Sequence, residues 1–232
     1  MAIAPHEPTV DGGLRERLIA AGLGLLNERG AAELTVRRVA EYAGTSTMGI
    51  YSQFGGRTGL LQAIYRRGFD ELRVALVAAL SPSRQDEEDE EPTAEIPSHP
   101  PQDNADAIGA ILALATSYRR FALDHPGLYS LMFERPVPDF DPSPELRSWA
   151  LGETFSLLIE QVSRAQRAGL LAGRDPTRQA YLLWTITHGI TSVELTHAAR
   201  SALPGWFLNS DDVGVEVLCE GVRAVLAGMA DR

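Results

Sequence analysis

A short run of mostly small and polar side chains at residues 46–53 has the composition of a surface that contacts nucleic-acid bases. Thr47 can hydrogen-bond a base or touch a thymine methyl, and Gln53 can approach adenine or a phosphate. Gly49 has no side chain and would let a helix sit closer to the bases. Since the run contains no Arg, we expect apolar and weak polar contacts, together with DNA shape, to carry any sequence preference. The residues expected to face the bases are Ser46, Thr47, Met48, Gly49 and Gln53.

A second set of residues, in and around this run, is suited to contact the phosphate backbone. Thr35 is at a predicted helix N-terminus, where its hydroxyl and the adjacent backbone amides can bind a phosphate. Arg57 supplies a charged donor at the start of a later helix. Tyr51 must face outward although its neighbour is apolar, which indicates that its hydroxyl has a partner. Arg37 and Arg38 are further phosphate contacts or simple solubilising residues, and for Arg38 the two roles are equally favoured.

Two short helices joined by a tight glycine turn must position these side chains. Thr35 is a good N-cap, and the apolar residues after it recur at helical spacing. Gly44 can take the left-handed conformation that ends the first helix. In the second helix, Ile50 and Phe54 are four residues apart and point into one small core. The pair is a predicted helix-turn-helix, whose second helix suits the major groove of DNA.

The sequence of this segment resembles the DNA-binding domain of TetR-type transcriptional regulators. The resemblance rests on T-x-x-x-V-A-x-x-A-G-x-S from Thr35 and I-Y-x-x-F-x-x-R-x-x-L-L from Ile50, and it covers about residues 14 to 72. It implies that the partner of Tyr51 is a phosphate and that Arg57 occupies the usual Lys position. The family more often has a basic residue after Ser46, so the base-facing set departs from the commonest pattern.

The composition is that of an ordinary globular protein, and its charge is distributed unevenly along the chain. Of its 232 residues, 44% are hydrophobic and 22% charged, and the net charge is −10. Residues 14–80 hold nine Arg against six acidic residues, whereas the remainder is strongly acidic. A basic segment on an acidic protein is expected when one end binds phosphates. The single Cys219, the absence of an apolar run of membrane-spanning length and an N-terminus without a signal pattern predict a cytoplasmic protein.

Helical periodicity recurs along the whole chain, and no strand or hairpin signal is present, so the predicted fold class is all-α with about nine helices. We predict a helix-turn-helix domain over residues 12–72 and a C-terminal ligand-binding and dimerisation domain over 73–232. An acidic, Pro-rich loop is predicted at about 81–104. The helices expected after the helix-turn-helix are 58–80, 105–123, 145–168, 176–200 and 211–229, with a short segment at 125–133.

The dimer prediction rests on the last two helices. Gly214, Gly221 and Gly228 recur every seven residues and form a smooth stripe that allows close helix packing. The stripe fits either a subunit interface or packing within the chain. The family resemblance implies the first, a homodimer built from these two helices of each subunit and bound to a palindromic operator.

The C-terminal segment also carries a candidate ligand site. Trp184, His188 and Gly189 match a Trp-His-Gly motif that one sub-branch of the family often has in its C-terminal domain. A buried His beside aromatic side chains can hydrogen-bond a polar group of an otherwise apolar ligand, although a structural core His is the favoured alternative. The residues proposed for this site are Phe121, Tyr129, Phe133, Phe155, Tyr181, Trp184 and His188.

These patterns favour a DNA-binding transcriptional regulator, a repressor released by a small hydrophobic ligand. The alternatives are an α-helical enzyme or a small-molecule-binding protein without DNA binding. The sequence lacks a Gly-x-Ser-x-Gly elbow, a His-Glu-x-x-His pair, a P-loop and a paired-Cys site. We therefore expect no catalytic residues, no metal and no cofactor, and we predict that the protein is not an enzyme.

Overall fold

The computed structural model of the chain describes residues 10–81, 103–198 and 210–230. These residues form nine α-helices and one 3-10 turn and contain no strand, which confirms the all-α prediction. Most of the predicted loop at 81–104 lies outside the described residues. The helices are α1 (Val10–Arg29), α2 (Val36–Tyr42), α3 (Thr47–Phe54), α4 (Arg57–Ala79), α5 (Asp103–Asp124), α6 (Pro126–Phe133), α7 (Pro144–Arg167), α8 (Pro176–Ala198) and α9 (Asp211–Ala230).

Local capping residues set the helix ends in the helix-turn-helix. The Thr35 hydroxyl accepts a hydrogen bond from the Arg38 amide at 3.3 Å, so Thr35 is the N-cap of α2 as predicted. Gly44 has φ +64° in the turn between α2 and α3, and Gly55 has φ +71° at the end of α3. Both angles lie in the left-handed region that glycine adopts without a steric penalty.

The chain packs as two compact units that are not continuous in sequence. The first contains Met1–Asp70 and His125–Ala150, and the second contains Glu71–Asp124 and Leu151–Arg232. The helix-turn-helix therefore shares its unit with α6 and with the segment that leads into α7. These units describe packing, and the sequence domains 12–72 and 73–232 stay a prediction.

In the first unit, α6 approaches its neighbours closely because glycines lie at the contacts. A Cβ at Gly127 would lie 2.5 Å from the Leu26 carbonyl oxygen of α1, and one at Gly68 of α4 would lie 2.7 Å from Met132 Sδ. The core of this unit is formed by buried apolar side chains of α1 to α4, including Leu18, Leu25, Leu26, Val39, Ile50, Leu60 and Ile64.

The second unit has its own core, formed where α5, α7, α8 and α9 pack together. Each helix presents apolar residues at a spacing of three or four to that core. The buried members are Ala107, Ile111, Ala115, Val162, Ala165, Leu171, Ala180, Leu183, Leu218, Val222, Leu226 and Met229.

Candidate functional site

Helix α3 has one buried side and one exposed side. Ile50 is fully buried, whereas Met48 is 70% exposed and Tyr51 is 56% exposed. Ser46 and Thr47 are also exposed, as predicted, and Gln53 is half-buried. Met48 and Tyr51 thus leave apolar and aromatic side chains exposed on the outer side of a two-turn helix.

Gly49 is buried, so the prediction that it lies on the outer face of α3 is wrong. Helical geometry places residue 49 next to the buried Ile50, on the side of α3 that packs inward. A Cβ at Gly49 would lie 3.5 Å from Leu14 Cδ2 of α1 and 3.5 Å from Thr45 Oγ1, both ordinary contact distances. Gly49 therefore faces α1 and not the surface that Met48 and Tyr51 share.

The two-glycine turn after α3 shapes the position of Tyr51. A Cβ at Gly56 would lie 3.5 Å from Tyr51 Cε1, so the tyrosine ring packs over this turn. Gly56 has φ +128°, an angle that other residues rarely adopt. A Cβ at Gly59 would overlap the Phe54 carbonyl oxygen, so the start of α4 also requires glycine.

Arg57, predicted to bind phosphate, also makes a hydrogen bond within the helix-turn-helix. Its Nε donates a 2.8 Å hydrogen bond to the carbonyl oxygen of Leu34, the residue before the N-cap of α2. The first residue of α4 is thereby joined to the start of α2. The sequence pattern gave no sign of this bond, because it joins residues 23 positions apart.

The two arginines of α2 both have acidic partners within the chain. Arg37 Nε donates to Glu41 Oε1 at 2.8 Å, and this bond and the charge of Glu41 raise the pKa of the Arg37 guanidinium. Arg38 pairs with Glu33. The Arg37 side chain is 84% exposed, so its pairing with Glu41 is open to exchange for a phosphate.

Arg15 of α1 contacts the C-terminal end of α3, which the sequence did not predict. Its Nη1 donates to the Gln53 carbonyl oxygen at 3.2 Å. Its guanidinium carbon lies 4.6 Å from the centroid of the Phe54 ring, within the range of a cation–π contact. Two independent contacts thus join the first helix to the end of α3.

In the second unit, the candidate ligand residues of α8 form an aromatic row that ends in a hydrogen bond. The ring centroids of Tyr181 and Trp184 are 5.7 Å apart, and those of Trp184 and His188 are 5.1 Å apart. His188 Nδ1 lies 2.9 Å from the hydroxyl of Tyr118 on α5. Tyr181 is 56% exposed, whereas Trp184 and His188 are half-buried.

The other candidate ligand residues are divided between the two units. Tyr129 and Phe133 belong to the first unit, where their ring centroids are 4.9 Å apart and Phe133 also packs edge-on against Phe69. Phe121 is buried in the second unit, and Phe155 packs against its core. The structure therefore does not gather all seven predicted residues into one unit.

An ion cluster around a buried arginine lies in the same unit, and the sequence did not predict it. We call it the arginine triad: Arg119 of α5, Glu194 of α8 and Asp211 of α9. Arg119 is 2% exposed, and it donates to both carboxylate oxygens of Glu194, at 2.8 and 2.6 Å, and to Asp211 Oδ1 at 2.8 Å. The signal in the sequence was an Arg within the apolar face of a helix.

The triad also alters the interpretation of the glycine stripe on α9. A Cβ at Gly214 would overlap Arg119 Nη2 and lie 2.7 Å from Glu194 Oε1, and one at Gly221 would lie 2.9 Å from Ile190 Cδ1. Both glycines thus serve packing within the chain. A Cβ at Gly228 would have no atom of the described residues within 4 Å. Of the three glycines in the stripe, Gly228 alone has the free surface that the dimer prediction requires.

The described residues contain neither a membrane-spanning helix nor a metal-binding cluster. None of their helices is long and apolar enough to cross a membrane. In the same part of the chain, His, Cys, Asp and Glu side chains form no group of three or more able to hold a metal ion.

The fold and the exposed face of α3 define a helix-turn-helix protein with a second, all-α unit. The family model described as bacterial regulatory proteins, tetR family, matches residues 18–64, and the one described as tetracyclin repressor-like, C-terminal domain, matches residues 111–207. Together they match more than half of the chain. The chain belongs to the TetR family of regulators.

The chain is also similar to individual helix-turn-helix regulators and to a solved structure. The chain is 40% identical to the HTH-type transcriptional regulator BetI 2 of Chromohalobacter salexigens over 82 residues, 35% of this chain and 38% of that protein. It is 23% identical to the HTH-type transcriptional regulator Rv0681 of Mycobacterium tuberculosis over 78% of this chain and 70% of that protein. A solved structure from Rhodococcus sp. RHA1 has 27% identity and a TM-score of 0.69, and the match covers 97% of this chain and 100% of that one.

Proposed function

We propose that this protein is a sequence-specific DNA-binding transcriptional regulator, a repressor that a small apolar ligand releases. The observation that carries the proposal is the outer face of α3, where Met48 is 70% exposed beside the fully buried Ile50. A helix this short has few anchors, and its exposed apolar and polar side chains suit a major groove. Such a regulator acts where the DNA is, and we place it in the cytoplasm.

The contacts divide into those that position the protein and those that specify the sequence. We assign phosphate contacts to Thr35, Arg37, Tyr51 and Arg57. The exposed position of Tyr51 supports its assignment, as do the Arg57 donors that the Leu34 carbonyl does not use. Base contacts are assigned to Ser46, Thr47, Met48 and Gln53, and Gly49 is left out because it faces α1.

A charge placed on the outer face of α3 tests the DNA-binding proposal directly. Genomic DNA fragments enriched by the purified wild-type protein supply the operator, and fluorescence anisotropy measures the affinity. We expect Met48→Glu to abolish operator binding, because a carboxylate would meet the negatively charged DNA. Val74→Glu is the matched control, since Val74 is 67% exposed on α4 outside the helix-turn-helix and should bind as the wild type does.

Two results would contradict the proposal. If the wild-type protein enriches no DNA at low salt, the alternative of a small-molecule-binding protein without DNA binding replaces it. If Met48→Glu and Val74→Glu bind equally well, the outer face of α3 is not the contact surface.

The family supports a homodimer that binds a palindromic operator, and the exposed side of α8 is the surface we assign to it. Leu182 is 49% exposed and Val193 is 44% exposed on that helix, and the small residues Ala224 and Ala227 are exposed on α9. We expect Leu182→Arg to shift the protein towards a monomer in sedimentation velocity. Val77→Arg, at a 40% exposed position on α4, is the control that should leave the dimer unchanged.

For the ligand, we propose an apolar molecule with one uncharged hydrogen-bonding group, held by the Trp-His-Gly segment. The hydroxyl of Tyr118 and the ring of His188 supply polar atoms beside Trp184. Arg119 is already bonded to Glu194 and Asp211 and has little capacity left to pair with an anionic ligand. In thermal-shift measurements, neutral alcohols or esters should therefore stabilise the protein more than the matched carboxylates do.

His188→Ala and His188→Gln separate a ligand contact from a structural role. A ligand contact predicts that both variants melt near the wild-type temperature without ligand and lose the ligand-induced shift. A structural role predicts a lower melting temperature in the absence of any ligand, because the half-buried hydrogen bond to Tyr118 would be lost.

A further inference from the structure

The C-terminal end of α3 has more carbonyl acceptors than the helix itself can satisfy. The last four carbonyls of any α-helix lack intrahelical partners. In α3 the Gly55 amide donates to the Tyr51 carbonyl oxygen at 2.9 Å. The Gln53 carbonyl receives its bond from outside the helix, from Arg15 Nη1 on α1 at 3.2 Å.

The position of Arg15 is favourable for two further reasons. Its positive charge lies at the C-terminal end of α3, where the helix dipole is negative. Its guanidinium also lies over the Phe54 ring, with 4.6 Å between the guanidinium carbon and the ring centroid. Arg15 therefore holds the backbone at Gln53 and the side chain of the next residue at the same time.

The neighbouring residue of α1 lies beside the same helix. Leu14 Cδ2 lies 3.5 Å from the position that a Cβ at Gly49 would take, on the inward side of α3. Adjacent residues of α1 thus lie beside both the middle and the end of α3. Rotation of α3 about its own axis would separate Arg15 from the Gln53 carbonyl and the Phe54 ring.

We propose that Arg15 is a positioning residue for DNA recognition, which fixes the orientation of α3 and thereby of Tyr51 and Thr47. The inference rests on the proposed DNA-binding function. Arg15 acts through the Gln53 carbonyl and the Phe54 ring, so its removal lets α3 rotate or fray while every DNA-contacting side chain is still present. Removal of Arg15 should therefore weaken sequence-specific binding, which needs the correct orientation of α3, and leave the general attraction to phosphates unchanged.

The test compares Arg15→Ala with Arg17→Ala, a second exposed arginine of α1. Anisotropy titrations with the enriched operator and with a scrambled duplex are run at several salt concentrations. For Arg15→Ala we expect operator affinity to fall about fivefold, with the scrambled duplex and the salt slope unchanged. Arg17→Ala should keep the wild-type ratio of operator to scrambled affinity, and Arg15→Lys should recover part of it.

Phe54→Leu provides a second test that keeps the charge of Arg15. It removes the ring under the guanidinium and should lower the operator-to-scrambled ratio in the same direction. Because both changes break one contact, adding Arg15→Ala to Phe54→Leu should cost less than the two single effects combined. This variant carries the test if Arg15→Ala does not fold.

Other outcomes overturn the inference in distinguishable ways. A loss on both duplexes with a salt slope reduced by about one unit would make Arg15 a phosphate contact. An unchanged ratio for both Arg15→Ala and Phe54→Leu would leave Arg15 without a role in recognition. If the wild-type protein does not prefer its enriched operator, the proposed function itself fails, and the inference fails with it.

Discussion

The helix-turn-helix and the core of the second unit use charged and apolar side chains in opposite ways. In the helix-turn-helix, Met48 is 70% exposed and the Arg37 side chain is 84% exposed. In the second unit, the Arg119 side chain is 2% exposed and is bonded to two carboxylates. The helix-turn-helix leaves these side chains accessible to a partner such as DNA, whereas a core must pair every charge that it buries.

The energetic consequence follows from solvent exposure. The exposed pair of Arg37 and Glu41 is screened by water and ions, so breaking it has little effect on the fold. Burial alone would lower the pKa of Arg119, but its bonds to Glu194 and Asp211 outweigh that effect and raise the pKa. Arg119 therefore stays charged, and removal of the Glu194 charge would leave it with the exposed carboxylate of Asp211 as its one anionic partner in the triad. Stability should therefore respond mainly to changes in the second unit, and DNA binding mainly to changes in the helix-turn-helix.

The largest effect should come from the arginine triad. Glu194→Gln removes the charge that faces Arg119 and should lower the free energy of unfolding by about 3–5 kcal/mol, the usual cost of breaking a buried ion pair. Urea denaturation measures the change. Glu220→Gln, an exposed acid of α9, is the matched control and should change stability by less than about 0.5 kcal/mol. Equal changes in the free energy of unfolding for the two variants would mean that the charge of Glu194 is not needed to stabilise the buried Arg119.

The glycines of α9 give the next largest contrast. Gly214→Ala places a methyl group against Arg119 and should cost about 1–3 kcal/mol, as overpacking does. Gly228→Ala meets no described atom within 4 Å and should be neutral or stabilise the helix by up to about 1 kcal/mol. Thermal unfolding of the two variants measures the difference. A destabilising Gly228→Ala would instead indicate that a second subunit packs there.

The helix-turn-helix should respond in DNA binding more than in stability. Arg57→Ala should weaken binding to all DNA sequences and reduce the salt slope by about one unit, and loss of its bond to the Leu34 carbonyl should cost about 1 kcal/mol of stability. Tyr51→Phe should also weaken binding uniformly.

Thr47→Ala should instead change which operators are preferred, in selections repeated with the variant. A uniform effect of Thr47→Ala would place it among the positioning residues.

The smallest effect should come from Gly49. Because its Cβ would point toward Leu14 at an ordinary contact distance, Gly49→Ala should leave DNA affinity unchanged. The free energy of unfolding should rise by up to about 1 kcal/mol, the difference in helix propensity between Gly and Ala. Anisotropy and thermal unfolding measure the two quantities. A marked loss of operator affinity would mean that the backbone at Gly49 approaches the bases after all.

Much of the fold followed from local sequence signals. Thr35 as an N-cap and Gly44 with a positive φ were predicted correctly, because caps and turns depend on residues within a few positions. The number and type of the helices were also predictable from apolar spacing. Of the residues predicted on the outer face of α3, Gly49 was misplaced, since a glycine gives no hydropathy signal about the side it faces.

Local sequence signals were enough to predict the nine helices of the described residues, the helix-turn-helix with its exposed Thr47, Met48 and Tyr51, and the family. Which distant groups meet depends on how the helices pack against one another. Arg119 pairs with residues 75 and 92 positions away, and Arg15 with a carbonyl 38 positions away. Helical periodicity tells which side of each helix is buried, but the partner of a buried charge depends on how separate helices pack, and that packing is a property of the whole core.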